Sequence, residues 1–172
     1  MTIPLRATTD LDALDTDALL RLFGTLDCPS VAEMNGDYRA RMLRQPAWLL
    51  AMAGAVTLGN PATRWMSKGF RPVDGEFGRG YNSFRVLGRT VQRFPMRTSI
   101  ANSRFDGRPM YELEYAAYRS LCATMNMVDE IRRIDDGRYL GIGTWGYTEA
   151  ARRVPQPFLL VGPSEPYLGD IG

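Results

Sequence analysis

The chain has 172 residues, 45% of them hydrophobic and 23% charged, with a formal net charge of +2. That length fits one domain with a sizeable core, and that balance excludes a disordered or fibrous chain. Histidine is absent, which excludes a Ser-His-Asp or Cys-His nucleophile, a histidine-held metal and a histidine-ligated haem.

The stretch Met1–Thr16 has no basic start followed by an apolar run, so the sequence predicts no signal peptide and a cytoplasmic location. Thr9–Leu26 is predicted as a helix, capped by Thr9 or Asp10 with Thr16 as a later alternative start. Leu11, Leu14, Leu19, Leu20, Leu22 and Phe23 supply its apolar face. Pro29 and Ser30 end the region, and Ser30 with Glu33 resembles a capping box. Gly36–Arg44 follows as a strand with Tyr38, Ala40 and Met42 on one face. Pro46 then opens a second helix, Ala47–Leu58, stopped by Gly59, Asn60 and Pro61. This helix is apolar almost all round, so it is either buried or a lid over something apolar. It is too short to span a bilayer, which needs about 20 residues.

From there the pattern changes to short aromatic and β-branched runs punctuated by Gly, Pro, Asp and Asn. Strands are predicted near Arg64–Phe70, Phe77–Leu87, Thr90–Ala101, Met110–Arg119, Met127–Ile134, Tyr139–Tyr147 and Pro157–Val161. Phe105-Asp106-Gly107-Arg108 and Asp135-Asp136-Gly137 carry hairpin-turn chemistry, and Gly88 marks a tight connection. The fold class expected is mainly β: an antiparallel up-and-down β-barrel, calycin-like, with an N-terminal helix and a short apolar lid helix. A sandwich, or an open sheet covered by the helices, is the alternative. Residues 1–172 are expected to form a single β-barrel domain, with the helical segment 1–30 packing on the barrel.

Met34-Asn35-Gly36-Asp37-Tyr38-Arg39-Ala40 resembles the Met-x-Gly-x-Trp-x-Gly segment of small bacterial GXWXG proteins. Trp65-Met66-Ser67-Lys68-Gly69-Phe70 is similar to the Trp-x-Gly-Lys-x-Phe segment of that family. Asp129–Asp135 with Tyr139-Leu140-Gly141 resembles its closing strand pair. Tyr38 stands for the tryptophan, Ala40 for the second glycine, and Lys68 and Gly69 are transposed. The resemblance implies a calycin-like barrel, related in shape to lipocalins and fatty-acid-binding proteins, and implies little about function.

Several residues could carry chemistry. On the strand Met127–Ile134, alternation puts Glu130 and Arg132 on one face and Asp129 with Arg133 on the other. Both faces mix apolar and charged residues, so the inward one is not readable. A lumenal carboxylate–arginine pair would orient a ligand head group; an exterior charge ladder is the plainer alternative. Tyr111, Leu113 and Tyr115 share a face that reads as interior, where buried tyrosine hydroxyls need partners. Tyr81, Phe84, Phe94 and Met96 suit either a greasy pocket wall or plain core. Tyr38 and Trp145 are further aromatic candidates, and Gly141 and Gly143 beside Trp145 signal bending or a close approach. Cys28 and Cys122 match no metal spacing, and Cys122 reads as inert.

Three functions are compatible with this pattern. The first is a binding protein that holds a fatty acid, isoprenoid or polyketide-like molecule in the lumen, with Arg132 or Arg97 pairing its carboxylate. The second is a cofactor-independent isomerase, dehydratase or cyclase using Asp129, Glu130 and Tyr115. The third is an interaction module presenting Ala47–Leu58. The expected partner is a small apolar ligand or substrate. No cofactor or metal is implied. Lys68 is the one lysine among 21 basic residues, and the arginines form no basic stripe, so nucleic acid is not expected.

Overall fold

The computed structural model describes residues 10–46 and 63–170. Eight antiparallel strands follow one another round a closed barrel, each paired with its sequence neighbour and β1 with β8. They are β1 (Gly36–Met42), β2 (Thr63–Pro72), β3 (Phe77–Val86), β4 (Arg89–Asn102), β5 (Pro109–Glu114), β6 (Val128–Asp135), β7 (Arg138–Thr144) and β8 (Gln156–Glu165). Closure is made by β1 against β8, with Ala40 opposite Leu160 and Met42 opposite Phe158. A meander of short strands loses its unpaired edges only by closing in this way. The barrel fold expected from the turn spacing is therefore the fold observed.

The tight turns sit where their chemistry placed them. Gly88, Gly107 and Gly137 adopt φ of 81°, 71° and 76°, a region that glycine enters without a Cβ penalty. The predicted strand Met110–Arg119 stops at Glu114, and a one-turn helix α2 (Leu121–Thr124) intervenes before β6. Its start is fixed by Ser120, whose hydroxyl accepts the Ala123 N–H. Sequence periodicity does not reach so short an element. The Ala47–Leu58 helix lies outside the described residues. Among the described residues, no helix is long and apolar enough to cross a membrane.

Helix α1 covers Thr16–Thr25, beginning at the later of the expected starts and so shorter than Thr9–Leu26. Asp15, not Thr9 or Asp10, is the cap: its carboxylate accepts the Ala18 N–H at 2.8 Å. The preceding residues form a separate turn, closed by Ala13 N–H donating to the Asp10 carbonyl. Leu19, Phe23 and Leu26 are fully buried under α1, against Ile134, Leu140, Ile142 and Leu159. Each such side chain contributes roughly 1.5–3 kcal/mol by leaving water.

The barrel thus has apolar groups on both faces of β6, β7 and β8. Outside lies the layer beneath α1. Inside, Tyr38, Phe70, Met96, Tyr111, Ile131, Tyr139 and Leu160 fill one end. The segment before β1 plugs that end with Val31 and Met34. Glu33 fastens the plug: its carboxylate accepts from Tyr139 Oη at 2.9 Å and from Arg133 Nη1 at 3.0 Å. Packing is dense there. The other end holds a cavity.

Candidate functional site

The cavity has a volume of about 320 Å³. Its walls come from strand ends that meet at one mouth of the barrel: Met42, Trp65, Phe84, Phe94, Met127 and Phe158, with Leu121, Cys122 and Met125 from and beside α2. Apolar walls with a few converging polar groups are the usual make-up of a small-molecule site. Here the polar groups are Lys68, Asn82, Tyr115, Asp129 and Gln156, with Arg93 at an exposed position.

Lys68 is at the centre, and its side chain and that of Asp129 are 3% and 4% exposed. Its ammonium donates to Asn82 Oδ1 at 2.8 Å, Tyr115 Oη at 2.7 Å and Asp129 Oδ2 at 2.8 Å. An ammonium has three protons, so all are used. Tyr115 Oη donates to the same Asp129 Oδ2 at 2.9 Å and accepts from Asn82 Nδ2 at 3.2 Å. The Lys68 charge also lies 5.2 Å from the Trp65 ring centre and 5.4 Å from that of Phe158. Burial, and then the Asp129 charge, hold the Tyr115 hydroxyl well above its ordinary pKa. Tyr115 is therefore a neutral donor. The Cys122 thiol is pushed up to about 12, chiefly by burial, so it is protonated and unreactive.

Two local irregularities build the walls. Between Met96 and Arg93 of β4, two residues oppose the single Tyr81 of β3. That is the count of a β-bulge, and Pro95 occupies a position a regular ladder excludes. Phe94 takes φ 54° there, a strained conformation for an aromatic residue. The bulge brings its ring into the cavity wall, edge-on to Phe84 with centroids 5.6 Å apart. It also turns the Phe94 carbonyl towards Asn82 Nδ2 at 3.4 Å. On β7 the inner face carries Gly141 and Gly143. A Cβ at Gly141 would overlap the Phe158 ring, and one at Gly143 would come within 3.0 Å of Asp129 Oδ1. These are the close approaches that glycines within a strand allow.

Of the residues singled out in the sequence, the structure brings Asp129, Tyr115, Phe84 and Phe94 to this cavity. Tyr38, Met96 and Tyr111 point into the barrel but lie in the packed end; the Tyr111 hydroxyl donates to Thr98 Oγ1 at 2.7 Å. Tyr81 faces outwards. It lies over Gly69, and its hydroxyl donates to Asp37 Oδ2 while accepting the Leu168 N–H. Arg97 is exposed on the outer face, 4.9 Å from the Phe77 ring centre. Trp145 is half-buried beyond the end of β7, away from the cavity.

Glu130 and Arg132 lie on the outer face of β6, because Asp129 and Ile131 take the inner one. Glu130 accepts from the Arg104 backbone and guanidinium, at 3.0 and 3.2 Å. Arg132 is buried beneath α1 and bound by Asp106. The lumenal roles read for these two in the sequence therefore lack the geometry they need. Sequence reasoning passed over Lys68, Asn82, Trp65, Gln156 and Phe158 as site residues. Lys68 did leave a signal: it is the lone lysine of an arginine-rich chain, on an otherwise inward-facing apolar register. Among the described residues no three His, Cys, Asp or Glu side chains gather as a metal site.

No family model and no curated protein matches the chain. A solved structure, a crystal structure of a protein from Thermomonospora curvata, is similar in fold, with a TM-score of 0.55 at 18% identity. The match covers 86% of this chain and 87% of that one.

Proposed function

We propose that this protein binds a small, mostly apolar molecule in the open end of its barrel. The observation that carries the reading is the contrast within one lumen: one end is filled by side chains, while the other keeps a cavity of about 320 Å³ with an apolar wall and one polar cluster. A barrel of eight strands has just enough interior for its own side chains or one small ligand. Isoprenoid or polyketide-like molecules match an aromatic and methionine wall, since methionine adapts its shape to irregular partners.

Native mass spectrometry of freshly purified protein, followed by extraction, tests this. The expected result is a stoichiometric apolar small molecule, or an apo protein that takes up one equivalent from a panel of such compounds. Failure of every compound to bind at high micromolar concentration would refute it.

A second reading, a cofactor-independent enzyme, is favoured by the hydrogen-bonded set Lys68–Asp129–Tyr115 on the cavity wall. An oriented carboxylate beside a substrate is a ready proton acceptor. Turnover of a bound compound to an isomer would separate this reading from simple carriage. We also propose kinship with GXWXG proteins and the calycin-like class; it is supported by the adjacency of the first two resembling segments, which pair as β1 and β2 with Tyr38 opposite Lys68.

A further inference from the structure

Asp129, Gly143 and Gln156 stand opposite one another on β6, β7 and β8, forming one row across the inner wall. All three line the cavity. The middle member has no side chain, and the space that its Cβ would occupy lies 3.0 Å from Asp129 Oδ1 and 3.8 Å from Gln156 Cβ. A carboxylate and a carboxamide therefore flank a notch.

Both flanking groups hold unused hydrogen-bonding capacity. Asp129 spends Oδ2 on Lys68 and Tyr115, while Oδ1 has no hydrogen bond among the described residues. Gln156 is 6% exposed and shares the inner face of β8 with Phe158 and Leu160. Its side chain likewise has no hydrogen bond among the described residues. Gln156 lines the cavity, so a bound molecule can supply its carboxamide with a partner from that side.

The charge balance decides the class of partner. The Lys68 ammonium is neutralised by Asp129 and has no proton to spare, so it offers nothing to an incoming carboxylate. Such a ligand would also meet the Asp129 charge directly. Among the described residues, the other cation on the cavity, Arg93, is at an exposed position. A group that both donates and accepts fits the notch, and a negatively charged one does not.

We propose that the Asp129–Gly143–Gln156 row recognises a hydroxyl group, and that the ligand is an uncharged apolar alcohol, phenol or enol. Its O–H donates to Asp129 Oδ1, and its oxygen accepts from Gln156 Nε2. This rests on the cavity being a binding site and goes on to specify the ligand's polar end.

Equilibrium dialysis of three probes with one ring system tests it: 2-naphthol, naphthalene and 2-naphthoate. The expected order is naphthol tightest, by about tenfold over naphthalene, with naphthoate weakest. Gln156→Leu should bring naphthol down to the naphthalene level while leaving naphthalene unchanged. Gly143→Ala should do the same by filling the notch; if it fails to fold, the Gln156→Leu result stands alone. Equal binding of naphthol and naphthalene, or naphthoate binding tightest, would overturn the hydroxyl notch and leave the apolar cavity intact. No binding of any probe would overturn both readings.

Discussion

Among the described residues two cations are buried, Arg132 and Lys68, and they are held in opposite ways. Arg132, on the outer face of β6, is fully enclosed and uses all five donors: two on Asp106, at 2.6 and 2.7 Å, and one each on the carbonyls of Phe23, Arg108 and Pro109. Those carbonyls belong to the end of α1 and to the β4–β5 hairpin, so the guanidinium joins three elements. Its plane also lies 4.5 Å from the Phe23 ring centre. The ammonium of Lys68, on the inner face, donates to side chains instead of carbonyls. Its three acceptors are the side chains of Asn82, Tyr115 and Asp129, of which Asn82 also donates to one main-chain group, the Phe94 carbonyl. The fold needs Arg132. Lys68 bonds only side chains that line the cavity, which is a physical reason to assign it to the cavity's purpose.

The largest expected effect is at the guanidinium. Arg132→Met should lower stability by about 3–5 kcal/mol in urea unfolding, because Asp106 loses its partner and three carbonyls lose their donor. Adding Asp106→Leu should not restore it, since the carbonyls remain. Ligand binding by the fraction still folded should stay as in the wild type, because no part of Arg132 lines the cavity. A loss of binding with stability intact would return Arg132 to the lumenal role first read for it.

The lysine should behave differently. Lys68→Met takes the counter-charge from the buried Asp129 carboxylate, leaving it the Tyr115 hydroxyl, and should cost roughly 3 kcal/mol. The double variant Lys68→Met, Asp129→Leu should recover most of that, since a buried ion pair replaced by apolar side chains of similar size is often neutral. Urea midpoints of the single and double variants are the measurement. A double variant no more stable than the single would mean that the pair holds the barrel together, and the contrast with Arg132 would collapse.

That contrast also explains what the sequence could disclose. The barrel was legible because Asp-Gly turns and alternating runs such as Met110–Tyr115 obey local rules, and Tyr111, Leu113 and Tyr115 do share the interior. The inward face of β6 was not legible. A strand shows its inside by setting apolar against polar residues, but β6 is covered on both sides: Ile131 faces the lumen and Ile134 faces α1. Each face also carries a buried charge, so alternation gave two equivalent answers. The site was visible in Asp129 with Tyr115 as a candidate acid–base set and in Phe84 and Phe94 as candidate wall, and these four line the cavity. The meeting of Asp129 and Tyr115 with Lys68 and Asn82 depends on register across β2, β3, β5 and β6. Gln156 gave no signal, because it falls just ahead of the predicted strand. Pro95 within a strand was the one local hint of the bulge that places Phe94.

The smallest expected effect probes how the outer cation is anchored. Asp106 is 27% exposed, and its pKa is lowered from the ordinary 3.8, first by the hydrogen bonds from Arg132. A carboxyl whose folded pKa lies below its unfolded one contributes stability above the unfolded value and loses it as pH falls through the folded one. The wild type should therefore lose this contribution progressively below about pH 4, and solvent screening of a partly exposed acid limits it to about 1 kcal/mol. Asp106→Asn removes the titrating group while keeping an acceptor for one guanidinium nitrogen. Its stability should be lower than the wild type at neutral pH, and the gap should close on acidification. Urea midpoints of the two proteins between neutral and acidic pH read this directly. A gap that is constant with pH would mean that Asp106 acts through shape and hydrogen bonding alone, and that Arg132 is held chiefly by its three carbonyls.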